Sequence, residues 1–256
     1  MKLLAIHFFL IFTSNIILAQ TKAKPDNVLR LMKAYPNHIV DFKDNKLVFK
    51  DGSTLIYDDG IRNKSKTELL NNPDIEDQFF YSYLKLDTSL LSKNVEDLGR
   101  IRNENFFKKM YGNTKEEVEK NLVEITWCPK SIGQKIKVTK VNGVDKAFLK
   151  TSEELDKMPE FKQYLTNIGG TFKWRNINGT NRLSMHSFGM TMDINISFSD
   201  YWQWSCTCTN EDVKLNFKNR IPLKIVEVFE KNGFIWGGRW VHFDTMHFEF
   251  RPELLN

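Results

Sequence analysis

Two short segments of this chain alternate strictly between apolar and polar residues, and each turns ionisable groups away from its apolar face. In residues 189–196, Met190, Met192, Ile194 and Ile196 share one side, which sends Asp193 to the other. In residues 244–250, Met246, Phe248 and Phe250 oppose His247 and Glu249. Period-2 segments of this kind need a sheet with one face on a core. If the two strands are neighbours, residues facing each other across the ladder lie about 4.5–5.5 Å apart, close enough for Asp193 and His247 to share a cation.

A third ligand is at hand. His186 stands seven residues before Asp193, in Ser184-Met185-His186-Ser187-Phe188-Gly189, a stretch with turn character that can fold back over the start of the strand. Two imidazoles and one carboxylate suit Zn²⁺, with one ion per chain and the fourth tetrahedral position left for water, as a catalytic site requires. Asp244, three residues before His247, is expected on the loop entering the strand, where it could serve as general base without ligating the metal. His242 is either a rival ligand or a pocket-wall residue. An imidazole beside Met and Phe is also an ordinary hydrogen-bonded core residue, so spacing alone leaves both readings open. A serine hydrolase on Ser184 and His186 is disfavoured, because an i, i+2 pair cannot readily form the nucleophile–base bond and no Gly-x-Ser-x-Gly elbow occurs.

Around these segments, residues 38–58 read as a short β-meander with turns at Asp44-Asn45 and Asp51-Gly52. Thr114 and Glu117 form a capping box for a helix carrying Val118, Leu122 and Ile125 on one face. Residues 134–141 read as a strand turning at Asn142-Gly143. Thr151 with Glu154 reads as a second capping box, in a helical stretch closed by Gly169-Gly170, and a further helix is expected from Pro222 to Gly233. Strands and helices mixed without βαβ regularity predict an α+β fold, an antiparallel sheet with flanking helices preceded by a small N-terminal β-rich segment.

Residues 1–19 have the pattern of a secretory signal: Lys2, an apolar run through Leu18, and small Ala19 at a plausible cleavage point. The expectation is a secreted or periplasmic protein with no stable membrane insertion after cleavage. Export would permit Cys128 to pair with Cys206 or Cys208, leaving one of the three thiols over. With 37 basic against 32 acidic residues, the net charge of +5 is too small for a nucleic-acid binder.

The segment Ser184-Met185-His186-Ser187-Phe188-Gly189-Met190-Thr191-Met192-Asp193 resembles the Ser-x-His-x-x-Gly-x-x-x-Asp signature of the M15 metallopeptidases, the D-alanyl-D-alanine carboxypeptidase and L-alanyl-D-glutamate endopeptidase group. Asp244-Thr245-Met246-His247 resembles its second signature, and the likeness runs from about Gly99 to the C-terminus. The resemblance implies an M15 or hedgehog/DD-peptidase-like domain over residues 96–256, with residues 20–95 as an N-terminal segment of unassigned role. It also implies zinc on His186, Asp193 and His247, Asp244 as base, and Arg175 as the cation that binds substrate and steadies the oxyanion. The implied partner is a peptidoglycan stem peptide, cut at an amide bond through a metal-bound water. The alternative is a zinc-containing cell-wall-binding module without turnover. Trp202, Trp204, Trp236 and Trp240 are candidates for the cleft wall or for the core.

Overall fold

The computed structural model describes residues 23–83, 96, 97, 99–206 and 213–255. The expected signal at residues 1–19 and the boundary near residue 95 lie outside the described residues. No helix among the described residues is long and apolar enough to cross a membrane.

The fold is α+β, with antiparallel sheets. Helix α1 (Asp26–Ala34) precedes a meander of β1 (Ile39–Lys43), β2 (Lys46–Phe49) and β3 (Thr54–Ile56), in that order in one sheet, as the turn residues predict. Asp44 and Asn45 both have positive φ in the first turn. Further along, β4 (Leu122–Trp127) and β5 (Gln134–Thr139) form a two-stranded hairpin. The main sheet has the order β6 (Ile168–Gly170), β7 (Thr191–Asn195), β9 (His247–Phe250), β8 (Phe234–Trp236). Its two central strands are the alternating segments, antiparallel with Met192 opposite Phe248 and Asp193 opposite His247.

One face of that sheet is the core. Met192, Ile194 and Phe248 are fully buried, and Phe229 of the helix Leu223–Lys231 stacks on Phe248 with ring centroids 3.8 Å apart. Each such side chain contributes roughly 1.5–3 kcal/mol by leaving water. That apolar anchoring fixes which residues point the other way, because a one-residue slip would bury Asp193 and His247 in the core instead. The N-terminal part joins the same apolar cluster through Val28, Leu31, Tyr35, Leu47 and Phe49.

Several local expectations fail for identifiable reasons. The capping box at Thr114 forms by half: Thr114 Oγ1 accepts from Glu117 N at 3.3 Å, but the Glu117 carboxylate accepts from Asn113 N at 2.7 Å; the helix covers only Lys115–Glu119, and Leu122 and Ile125 belong to β4. Their i, i+3 spacing fits a helix, yet pairing with β5 along six residues overrides it. Asn142 and Gly143 have the positive φ of a tight turn, but they lead into the helix Val144–Leu155; the hairpin closes earlier, between Trp127 and Gln134. Thr151 lies inside that helix, its hydroxyl donating to the Ala147 carbonyl at 2.8 Å, so it caps nothing. Gly169 and Gly170 form β6 rather than a helix end.

The pairing of Cys128 that export would permit does not form. Cys128 is a free, buried thiol, while Cys206 is disulfide-bonded and Cys208 lies outside the described residues. Burial pushes the Cys128 thiol up to about 12. Iodoacetamide at pH 8 should therefore leave Cys128 unmodified in the folded protein and alkylate it in guanidinium; peptide mass mapping reads the difference, and labelling of the native thiol would contradict its burial.

Candidate active site

The register of the main sheet sets the site. Opposite Asp193 on β7, His247 on β9 brings its Nδ1 to 3.0 Å from Asp193 Oδ1. The 3-10 turn Met185–Phe188, which ends at Gly189 in the left-handed region, folds back over the start of β7. There His186 Nε2 lies 3.2 Å from the other oxygen, Asp193 Oδ2. Donor atoms of all three residues lie within 4.8 Å of one another.

These spacings can be compared with what a metal needs. Tetrahedral zinc with bonds of about 2.0–2.1 Å holds its ligand atoms about 3.3 Å apart. The contacts of 3.0 Å to one Asp193 oxygen and 3.2 Å to the other bring each imidazole to about that distance from the carboxylate, and one donor atom from each residue lies within 4.8 Å of the others. Ring orientation fits as well. His186 Nδ1 is 3.1 Å from the Thr171 carbonyl, which can only accept, so this nitrogen carries the proton and Nε2 presents its lone pair to the site. His247 Nε2 lies 3.3 Å from Glu249 Oε2, which leaves Nδ1 as the atom that could ligate a metal. His186, Asp193 and His247 thus fit a zinc ion in donor type, spacing and tautomer.

The electrostatics place positive charge beside Asp193. Burial favours the neutral form of Asp193, but His186 and His247 hold its carboxyl well below the usual carboxylate range. Burial pulls His247 down, yet the carboxylates at its two nitrogens overcome this and push it up to about 10. Without a metal the imidazole carries both protons and is itself the counter-charge.

Asp244 sits on the loop before β9, as its odd offset from His247 predicts. Its backbone is pinned: its N–H donates to the Gly237 carbonyl at 3.0 Å, and its own carbonyl accepts from His247 N at 3.2 Å. A side chain on Gly237 would bring a Cβ within 2.5 Å of that carbonyl oxygen, so only glycine fits against this loop. Oδ1 of Asp244 is buried with no hydrogen-bond partner among the described residues. Burial, and then the nearby charge of Asp193, push Asp244 up to about 7. A carboxylate that titrates near neutrality and has an unused oxygen can take up a proton from a reacting group.

These residues line one cleft of about 460 Å³. Arg175 lines it too, exposed, with its backbone N–H donating to Ser187 Oγ and its carbonyl accepting from Ser184 N, both at 3.0 Å. The turn that carries His186 therefore also places Arg175. Trp202, Trp204 and Trp240 stand in the wall, whereas Trp236 is fully buried and donates from its indole to the Thr245 carbonyl. His242 is a wall residue outside the donor cluster, its Nδ1 2.8 Å from Asp97 Oδ2.

The support behind the candidate ligands was not predicted from the sequence. Glu249 is fully buried and receives a two-pronged bond from Arg102, with Nε to Oε1 at 3.1 Å and Nη2 to Oε2 at 2.6 Å. Arg251 adds a third at 3.1 Å. The alternation that singled out His247 also placed Glu249 on its face, which was the available signal. Arg102 and Thr171 carried none.

No curated protein and no solved structure matches the chain. Residues 178–250 match a family of M15 peptidases described as D-alanyl-D-alanine carboxypeptidase, a stretch that includes His186, Asp193, Asp244 and His247 and begins after Arg175. Over this segment, less than a third of the chain, the protein is similar to the M15 peptidases.

Proposed function

We propose that this protein is a zinc-dependent peptidase that hydrolyses an amide bond in peptidoglycan stem peptides, in the cell envelope or outside the cell. The observation that carries the reading is the convergence of His186, Asp193 and His247 donor atoms within 4.8 Å, beside Asp244, whose buried Oδ1 has no hydrogen-bond partner among the described residues. When bound, zinc supplies a Lewis acid that polarises the scissile carbonyl and makes water acidic near neutrality. Asp244 accepts the proton that the attacking water loses and passes it to the amine as the C–N bond breaks, so the base is restored after each turnover. Arg175 stands at the cleft wall, where a guanidinium can hold a substrate carboxylate or the oxygen on which charge grows. Trp202, Trp204 and Trp240 form the apolar wall that limits water around the peptide.

The test is to incubate the purified protein with muropeptides of defined stem length, with and without a chelator, and to weigh the products. Loss of a terminal D-Ala or cleavage after L-Ala, abolished by the chelator and restored by zinc, is expected. Absence of any cleavage would remove the enzymatic reading and leave a wall-binding module.

Metal uptake should also be coupled to pH. His247 holds its proton up to about 10 without metal, and a ligand must be neutral, so binding at pH 7 displaces about one proton. Zinc affinity should then rise about tenfold per pH unit between pH 6 and 8. Calorimetry in buffers of different ionisation enthalpy checks this, and a binding heat independent of the buffer would refute it.

A further inference from the structure

Behind His247 runs a continuous buried chain of polar groups that ends in the first helix of the protein. His247 Nε2 is 3.3 Å from Glu249 Oε2, and the other oxygen, Glu249 Oε1, accepts from Arg251 Nη1 at 3.1 Å. Arg251 Nε donates in turn to Glu253 Oε1. Glu253 Oε2 accepts from the Tyr35 hydroxyl at 2.5 Å. Tyr35 follows α1 directly, and α1 packs on the 3-10 turn Pro252–Leu254 that carries Glu253. All five groups are buried, and Tyr35, Glu249 and Arg251 are fully so.

The geometry gives each link little freedom. Phe107 lies under the Arg251 guanidinium at 5.0 Å, and Phe106 packs edge-on against the Tyr35 ring at 5.8 Å. Arg251 Nη2 has no hydrogen-bond partner among the described residues, so the guanidinium is held in its plane by Nε on Glu253 and by Nη1 on Glu249 and the Gly99 carbonyl. Rotation of the Glu253 carboxylate would therefore shift Arg251, and with it the oxygens that orient His247. In a dry interior such chains are held more tightly than isolated pairs. The Tyr35 hydroxyl is the last donor of the chain and stays neutral, because burial and then Glu253 raise its pKa well above the usual tyrosine value.

We propose that Tyr35 is a positioning residue of the metal site: through Glu253, Arg251 and Glu249 it fixes the ring of His247, which makes the N-terminal helix a working part of the zinc centre. This rests on the proposed function for the identity of the ion. It assigns to residues 26–35 a role that their sequence, which carries no catalytic motif, does not disclose. Removing the hydroxyl leaves Glu253 Oε2 buried without its donor, and the carboxylate is then free to turn.

Tyr35→Phe keeps the ring and its contact with Phe106, and circular dichroism and thermal unfolding establish that it folds. Direct supports of metal ligands are typically worth 10–100-fold in affinity; three links further out, Tyr35→Phe is expected to weaken zinc binding about three- to tenfold, read by competition with a chromophoric chelator. The same substitution in a Glu249→Gln background should then change affinity less than about twofold, since the path to His247 is already cut. An unchanged zinc affinity in Tyr35→Phe, or an equal loss in both backgrounds, would overturn the proposal. A second readout needs no zinc: the ring ¹⁵N shifts of His247 in metal-free protein should move in Tyr35→Phe, and identical shifts would also overturn it. Should the wild-type chain take up no zinc, the proposed function fails while the His247 shifts still decide the relay.

Discussion

Replacing Asp244 by Asn is expected to lower peptidase turnover by about 10³-fold while zinc content stays near one per chain. The substitution keeps size and shape, so the loop pinned between Gly237 and His247 is undisturbed and the three candidate ligands keep their places. What is lost is the ability to take a proton. Turnover on a muropeptide and metal content by mass spectrometry measure the two halves separately, and activity within tenfold of the parent would take Asp244 out of its assigned role. A pH signature accompanies the change. The folded-state value of Asp244 lies at about 7, above the roughly 3.9 of an unfolded aspartate, so its charge costs stability as pH rises from about 4 to 7. Metal-free Asp244→Asn should therefore melt above the parent at pH 8 and level with it at pH 4. Stability would be gained where activity is lost, as expected of a carboxylate kept buried for chemistry.

Much of this site could be read from residue order alone, because it is built on period-2 strands. Met192 and Phe248 bury one face, and Asp193 and His247 are then left to meet on the other. His186 could be added because a turn ending in glycine at positive φ returns the chain over β7. The same reasoning misplaced Leu122 and Ile125, whose spacing fits a helix and a strand equally until β5 is present to pair with them. It could not see Arg102, which lies 147 residues from Glu249, or the Thr171 carbonyl that sets the His186 tautomer. Backbone acceptors and distant charge partners leave no local pattern. The polar run His247, Glu249, Arg251, Glu253 does leave one, since alternation continues past the strand into residues that a surface strand would expose and this chain buries.

Glu249→Ala should be the most destabilising single change at the site, because it strands two guanidinium groups. Arg102 and Arg251 both bond to this carboxylate, and among the described residues Glu253 is the other acid that Arg251 bonds. Burial disfavours the charge on Glu249, yet Arg102, His247 and Arg251 hold its carboxyl well below the usual range, so it is ionised wherever the protein is folded. Removing one partner of a buried pair costs about 3–5 kcal/mol, and for a chain of this size that lowers the melting temperature by about 6–20 °C. Zinc affinity should fall by about 10–100-fold in the same variant, since His247 loses the acceptor that orients its ring. Differential scanning calorimetry of the metal-free protein separates the first effect from the second. Glu249→Gln, which keeps the volume and one hydrogen-bond acceptor, should recover part of the stability and less of the zinc affinity. If Glu249→Ala melts within 2 °C of the parent, the guanidinium groups have found water, and the polar layer beneath His247 is not the sealed support that its geometry implies.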